Sequence, residues 1–266
     1  MMTLKTVFAD VRDVTLAYGQ GEESVMAVDH LDLKVGRGDF IAVVGPSGCG
    51  KSSLMKLLTG LVPPTRGAVF IDDNQVTRPI KGVGMAFQNS TLMPWRTTLD
   101  NVMLPFEIVE PHKRRLRGNR KHYVGLAERI LSSVGLDKFG QKYPWQLSGG
   151  MQQRASLCRA LIHEPELLML DEPFGALDAF TREELWSVMQ SLWMEKKFTS
   201  VLVTHDLREA VYLSNVVHVM SKRPGRLVMS LDIDLPRPRT LETTFSPAFM
   251  DLVHRLRDKI RAEHEL

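Results

Sequence analysis

The sequence predicts an α/β fold with a largely parallel sheet and an inserted helical subdomain. Three observations predict it. Short runs are apolar throughout, one of them runs through a glycine loop into a helical pattern, and the strand signal vanishes between Gln88 and about Gln146. Apolar-throughout strands are those covered on both faces, as in parallel sheets packed between helices.

Phe40 to Val44 is the first such run, followed by glycines and then by Leu54, Leu57 and Leu58 at helical spacing. That reads as strand, loop, helix. Further β-rich runs lie at Ala68–Ile71, Val83–Phe87, Leu167–Leu170, Ser200–Thr204 and Val216–Met220. Thr181–Glu195 reads as a helix, and Asp206 with Glu209 forms a capping box for another. The helical stretch after Gln88 contains a basic segment, His112 to His122, with Lys113, Arg114, Arg115, Arg117, Arg120 and Lys121. It is expected to be a solvated loop, with contact to phospholipid headgroups as the other reading.

Near the end, Pro236-Arg237-Pro238-Arg239 must be extended, because proline disfavours helix at itself and its predecessor. Ser246 and Pro247 then fit an N-cap and first helical position, and Phe249, Leu252, Val253, Leu256 and Ile260 form one apolar stripe. The stripe is expected to dock on the core; a partner-binding helix is the alternative.

The bulk properties exclude several classes. A chain of 266 residues, 44% apolar and 24% charged, has the composition of a globular protein with one large or two modest domains. Its 34 Lys and Arg against 31 Asp and Glu leave only +3, too weak to argue for nucleic acid. Two cysteines, Cys49 and Cys158, make neither a disulfide framework nor a metal site, and fit a reducing cytosol. Met1 to Asp10 carries no secretory signal. No run of about 18 uncharged apolar residues occurs, so work at a membrane would need a partner to hold the chain there.

Gly45-Pro46-Ser47-Gly48-Cys49-Gly50-Lys51-Ser52 fits the phosphate-loop pattern G-x-x-x-x-G-K-[ST]. Glycines let backbone N–H groups curl around a phosphate, and the helix that follows presents its positive end. Lys51 can reach the β- and γ-phosphates, while the Ser52 hydroxyl ligates magnesium. Cys49, among loop amides at a helix N-terminus, is expected to have a lowered pKa and to alkylate readily, with an inert small loop residue as the alternative. Leu167 to Glu172 is an apolar strand ending in two acids. Asp171 would hold magnesium through water, and Glu172 would accept the proton of the attacking water. Ser148-Gly149-Gly150 opens a helical pattern through Leu157, Ala160 and Leu161, which makes a second helix-end anion cradle. One active site does not need two cradles. Two copies facing head to tail would each supply one to a shared nucleotide.

These residues resemble the ATP-binding-cassette (ABC) ATPase family over about residues 5 to 235. The resemblance implies a P-loop NTPase fold: a RecA-like core with an N-terminal antiparallel β subdomain, plus an inserted helical subdomain. It implies an ATPase domain over 1–235 (core 1–88 and 160–235, helical subdomain about 89–159) and a C-terminal extension over 236–266 with an amphipathic helix. Tyr18 matches the residue that stacks on adenine, and Gly45 to Ser53, ending in Lys51, Ser52 and Ser53, matches the ATP-binding loop. Leu147 to Arg154 matches the signature motif, in which Ser148, Gly149, Gly150 and Gln152 act on nucleotide bound to the other subunit. Gln88 matches the glutamine that touches magnesium and water, Phe174-Gly175-Ala176-Leu177-Asp178 the D-loop, and His205 the switch histidine. The implied catalytic set is Glu172, His205, Gln88 and Lys51, and the implied Mg2+ set is Ser52, Gln88 and Asp171. Met151 departs from the family's usual glutamine, as importer-type members often do.

Within the family, Leu92-Met93-Pro94-Trp95-Arg96 with Asp100-Asn101-Val102, and the Pro236–Arg239 tail, resemble nitrate/sulfonate/taurine-type importer ATPases. Trp95 and Arg96 are then expected to meet the permease's coupling helix, with simple packing of Trp95 as the alternative. The implied partners are a second copy or a paralogous ATPase, transmembrane permease subunits and, indirectly, a periplasmic binding protein, with no nucleic acid. The implied location is the cytoplasmic face of the cell membrane. DNA-organising relatives insert long coiled coils, and the gap from Ser52 to Ser148 is too short and lacks heptads. An exporter or lipid-transporter subunit is the serious alternative.

Overall fold

Twelve-residue strands β1 (Val7–Tyr18) and β2 (Val25–Gly36) open the chain, followed by β3 (Phe40–Val44), α1 (Lys51–Leu58), β4 (Arg66–Ile71) and β5 (Asn74–Gln75). Next come β6 (Gly84–Phe87), α2 (Thr98–Ile108), α3 (His112–Leu116), α4 (Arg120–Ser133) and α5 (Gly149–Leu161). The remainder is β7 (Leu167–Asp171), α6 (Ala179–Lys196), β8 (Thr199–Val203), α7 (Leu207–Leu213), β9 (Val216–Met220), β10 (Leu227–Asp232) and α8 (Pro247–Glu265). This computed structural model describes residues 6–19, 21–175 and 177–265. Its internal contacts form two units, Met1–Ile80 with Lys197–Leu266, and Lys81–Lys196.

The first unit contains an antiparallel sheet in the order β2-β1-β4-β5. From Asp29 to Val35, β2 alternates buried and exposed side chains, the pattern of a sheet with one wet face. The Ala68–Ile71 run belongs here, paired antiparallel with β1 (Val11 opposite Val69). In the same unit β3 lies between β8 and β9, parallel to both, and β10 returns antiparallel beside β9. Every residue of β3 and β8 is buried, as expected for strands covered on both faces. Asp206 caps α7, accepting from the amides of Arg208 (2.9 Å) and Glu209 (3.2 Å).

The tail is tied into this unit. Pro236 to Arg239 is non-helical, and the amide of Phe249 donates to the Ser246 hydroxyl (3.3 Å) with Pro247 in the first position of α8. Phe249 and Leu256 have no exposed surface, and α8 packs on α7 and β9. The apolar stripe therefore docks on the core, each such side chain contributing about 2 kcal/mol of burial.

In the second unit β6 and β7 are parallel, with Phe87 opposite Asp171. Helices α2, α4 and α5 share a core that includes Val102, Phe106, Ala127, Leu131, Ala155 and Cys158. The basic segment differs from the expected loop. It folds as α3 and the first turn of α4, because Lys, Arg and Leu are strong helix formers; Gly118 and Asn119 break the run in a short turn that also takes in Arg117. Among the described residues no helix is long and apolar enough to cross a membrane.

Candidate nucleotide site

The phosphate loop joins the C-terminal end of β3 to the N-terminus of α1, in the first unit. Lys51 is buried, and its Nζ donates to the carbonyls of Gly45 and Pro46, both at 2.8 Å. A cation held inside a ring of backbone groups at a helix N-terminus suits a phosphate. Ser47 and Gly48 on the same loop, and Ser52 in the first turn of α1, are exposed. Tyr18, at the end of β1, shares a hydrogen bond with Ser53 (3.2 Å), and Lys56 Nζ lies 5.8 Å from the centre of its ring. Tyr18 as a residue is 37% exposed, so its ring is accessible to a base.

His205 lies two residues beyond β8 and is exposed. The register pairs Val43 with Val203, and the amide of Thr204 donates to the Val43 carbonyl (3.2 Å). The histidine thus stands at the same carboxyl edge of the sheet as the phosphate loop, where ligands sit in α/β folds.

Cys49 corrects the expectation drawn for it. The side chain is 1% exposed, and burial pushes its thiol pKa up; the nearby Lys51 charge pulls the other way and loses. Its Sγ lies 3.8 Å from Lys51 Nζ, on the inner side of the loop. The helix-end argument fails because removal from water outweighs a positive end and one ammonium.

Sequence reasoning missed the outer wall of the loop. The turn after β9, Ser221 to Arg226, buttresses it: Arg223 Nε donates to the Gly48 carbonyl (3.2 Å), and Gly225 exchanges backbone hydrogen bonds with β2 through Ala27 and Asp29. A Cβ on Gly225 would lie 2.1 Å from the Cys49 carbonyl, so only glycine permits this approach. Pro224-Gly225 announces a turn, but nothing in the sequence says which loop it leans on.

In the second unit, the β6–β7 register sets Gln88 and Glu172 each one residue beyond a paired position, Phe87 and Asp171. The Gln88 amide nitrogen and the Glu172 carbonyl both approach Gly175, at 3.5 and 3.4 Å from where its Cβ would stand. Glu172 has φ 47, a left-handed conformation that costs energy in a residue with a side chain and that clusters at functional turns. The strands therefore bring Gln88, Asp171 and Glu172 together at one edge.

Ser148 is the N-cap of α5, its Oγ accepting from the Met151 amide (3.3 Å). Gly149 is exposed, and Gly150 packs where a Cβ would lie 2.9 Å from Thr181 on α6. A cavity of about 300 Å³ opens here, lined by Ser148, Gly149, Gly150, Leu177 and Asp178 among others. Asp178 Oδ1 accepts from the Thr181 amide (3.1 Å), which holds the carboxyl below its usual range. Gln152 is turned inward, donating to the carbonyls of Pro144 (3.0 Å) and Leu147 (3.3 Å) and accepting from Ser90 (3.1 Å). Ala176 of the expected D-loop lies outside the described residues.

Trp95 is 72% exposed, so it is not packed within this chain's core. Arg96 makes a two-pronged ion pair with Glu107 (2.8 and 3.0 Å). Asn101 fastens the loop beneath them, accepting from the Met93 amide (2.7 Å) and donating to the carbonyls of Met93, Arg96 and Thr97.

An α/β fold with a phosphate loop after β3 and two acids at the end of β7 defines a P-loop ATPase. The family model described as ABC transporter matches residues 28–175. An uncharacterised ABC transporter ATP-binding protein of Methanocaldococcus jannaschii is 43% identical over 230 residues, 86% of this chain and 83% of that protein. The aliphatic sulfonates import ATP-binding protein SsuB of Bacillus licheniformis is 39% identical over 249 residues, 94% of this chain and 91% of its own. Among solved structures, a dimeric ATP-binding cassette in a post-hydrolysis state, bound to ADP and Pi, has a TM-score of 0.72 at 29% identity, covering 86% of this chain and all of that one. The chain belongs to the ABC transporter family, as an ATPase coupled to transport across a membrane.

Proposed function

We propose that this chain is the ATP-hydrolysing subunit of an importer for a small solute, an organic or inorganic anion of the sulfonate, taurine or nitrate kind, and that it works as a pair of copies. The observation that carries the pairing is the second anion cradle, Ser148 and Gly149 beside Asp178. A dimeric solved relative supports it, and relatives named for aliphatic sulfonate import support the direction and class of cargo.

In this reading Lys51 and the loop amides grip the phosphates of ATP, and Tyr18 offers its ring to the adenine. Ser148 and Gly149 of the other copy, or of a paralogous ATPase, close on the γ-phosphate. Glu172 takes the proton of the attacking water, Gln88 orients that water, and His205 steadies the γ-phosphate. Magnesium, when bound, neutralises phosphate charge; the hard oxygen donors Ser52, Gln88 and Asp171 are the residues that would hold it. Gln152 supports the signature by pinning the chain before it. Closure is passed to permease subunits through the surface around Trp95 and Arg96. The subunit then sits at the cytoplasmic face of the membrane, held by the permease, and a periplasmic binding protein delivers the cargo. Residues 236–266 are an extension of the ATPase domain.

The test is uptake into vesicles that contain the cognate permease and binding protein. ATP-dependent accumulation of a sulfonate, taurine or nitrate is expected, lost in Glu172→Gln, which still binds ATP. Outward movement of cargo, or uptake unaffected by Glu172→Gln, would overturn the proposal.

A further inference from the structure

Six of the eleven residues from His112 to His122 are Lys or Arg, and none is acidic. They lie on the short α3, on the turn that follows it (Arg117) and on the first turn of α4, and all six are exposed. Two are paired: Arg114 with Glu110 (3.3 Å) and Arg120 with Asp100 (3.8 Å). Lys113, Arg115, Arg117 and Lys121 have no ion-pair partner among the described residues. Like charges so close repel one another within this fold, so the arrangement favours an anionic surface outside it. Ile108, at the end of α2 just before the patch, is 64% exposed and supplies an apolar contact beside the charges.

We infer that this patch docks the subunit on anionic phospholipid headgroups. The established activity puts the chain beside a bilayer, whose cytoplasmic leaflet is negative, and clustered Lys and Arg are the side chains drawn to it. Nucleic acid fits less well. Binding single strands takes exposed aromatic rings among the cations, whereas Phe106 and Tyr123 here are buried against each other at 4.6 Å. The net charge of +3 is also far from a nucleic-acid footprint. The docking is independent of the nucleotide site. It orients the free subunit for its permease, and high salt weakens it.

The experiment is co-sedimentation of the full-length subunit with vesicles of phosphatidylcholine, with and without phosphatidylglycerol. Retention on the phosphatidylglycerol vesicles alone is expected, with loss on raising the salt. Neutralising the four unpaired cations (Lys113→Gln, Arg115→Gln, Arg117→Gln, Lys121→Gln) leaves both ion pairs intact. It should lower the vesicle partition coefficient about tenfold or more, with ATP hydrolysis unchanged. An equal loss of charge elsewhere (Lys34→Gln, Arg129→Gln, Lys138→Gln, Lys142→Gln) should have a much smaller effect. Equal binding to both vesicle types, or equal loss in the two variants, overturns the proposal. So does displacement from the vesicles by transfer RNA that itself binds more tightly through the same four residues.

Discussion

Tyr212 and Arg239 hold each other by reciprocal bonds: the Tyr212 hydroxyl donates to the Arg239 carbonyl (2.6 Å), and Arg239 Nη1 donates to the Tyr212 carbonyl (2.9 Å). The same nitrogen also donates to the carbonyls of Val211 (2.7 Å) and Ser214 (2.8 Å), and Nη2 donates to those of Ile233 (3.1 Å) and Leu235 (3.3 Å). A buried guanidinium thus closes the C-terminal end of α7, where carbonyls lack helical partners and a positive charge is favoured. Burial pulls the Arg239 pKa down, and Arg237 adds to the effect, whereas the surrounding carbonyl acceptors favour the charged form, which carries the full set of N–H donors.

Replacing Arg239 with Ala strands those carbonyls in the interior. A loss of about 3 kcal/mol or more in urea-unfolding stability is expected. Arg239→Lys should recover only part of it, because an ammonium has three donors and no fork. A loss below about 1 kcal/mol for Arg239→Ala would show that the knot is not what secures the tail.

Cys49 is buried with a raised pKa, so native protein at neutral pH should react with iodoacetamide at least about a hundredfold more slowly than an exposed thiol. Mass spectrometry of labelled peptides measures this, with denatured protein as the full-labelling reference. Native labelling at the rate of a free thiol would contradict the buried assignment.

His218 on β9 is buried; its Nδ1 hydrogen-bonds with Ser230 (2.8 Å), Nε2 has no hydrogen-bond partner among the described residues, and burial pushes its pKa down to about 4. The folded state holds it neutral, whereas the unfolded chain takes up a proton below about pH 6.5. Its contribution to stability is therefore complete above that pH and declines as pH falls towards 4, by about 2 kcal/mol at pH 5. Urea midpoints at pH 7.5 and 5 should differ less in His218→Gln than in the parent chain. Identical pH dependence would remove His218 from the account.

Strands β3 and β8, buried throughout, and β9, buried from Val217 to Met220, were legible because both of their faces demand mostly apolar residues, which shows as a simple run. Strands β1 and β2 were harder: half-wet strands carry polar residues such as His30, Asp32 and Lys34 at every second position, and a search for apolar runs passes over them. The phosphate loop was legible residue by residue, since its chemistry is local. What escaped was support from far along the chain. Gly225 against the Cys49 carbonyl, and Gln153 donating to the Phe87 carbonyl (2.8 Å), depend on pairings that only folding creates. The Cys49 titration was misjudged for the same reason: a helix end can be read from sequence, but the depth of burial cannot. The tail arginines read only as an extended segment, and one of the carbonyls Arg239 gathers, that of Ser214, lies 25 residues upstream.

The central claim is that the phosphate loop of one copy works with the Ser148 cradle of another, and mixing two inactive variants tests it most directly. Lys51→Ala removes the phosphate grip, Ser148→Arg blocks the cradle, and each alone should hydrolyse almost no ATP. Paired with each other, they leave one intact combination: Lys51 from the second variant facing Ser148 from the first. The account predicts hydrolysis in the mixture well above the sum of the separate rates, rising with protein concentration. A mixture no more active than that sum would place both groups on one copy's own nucleotide and contradict the account.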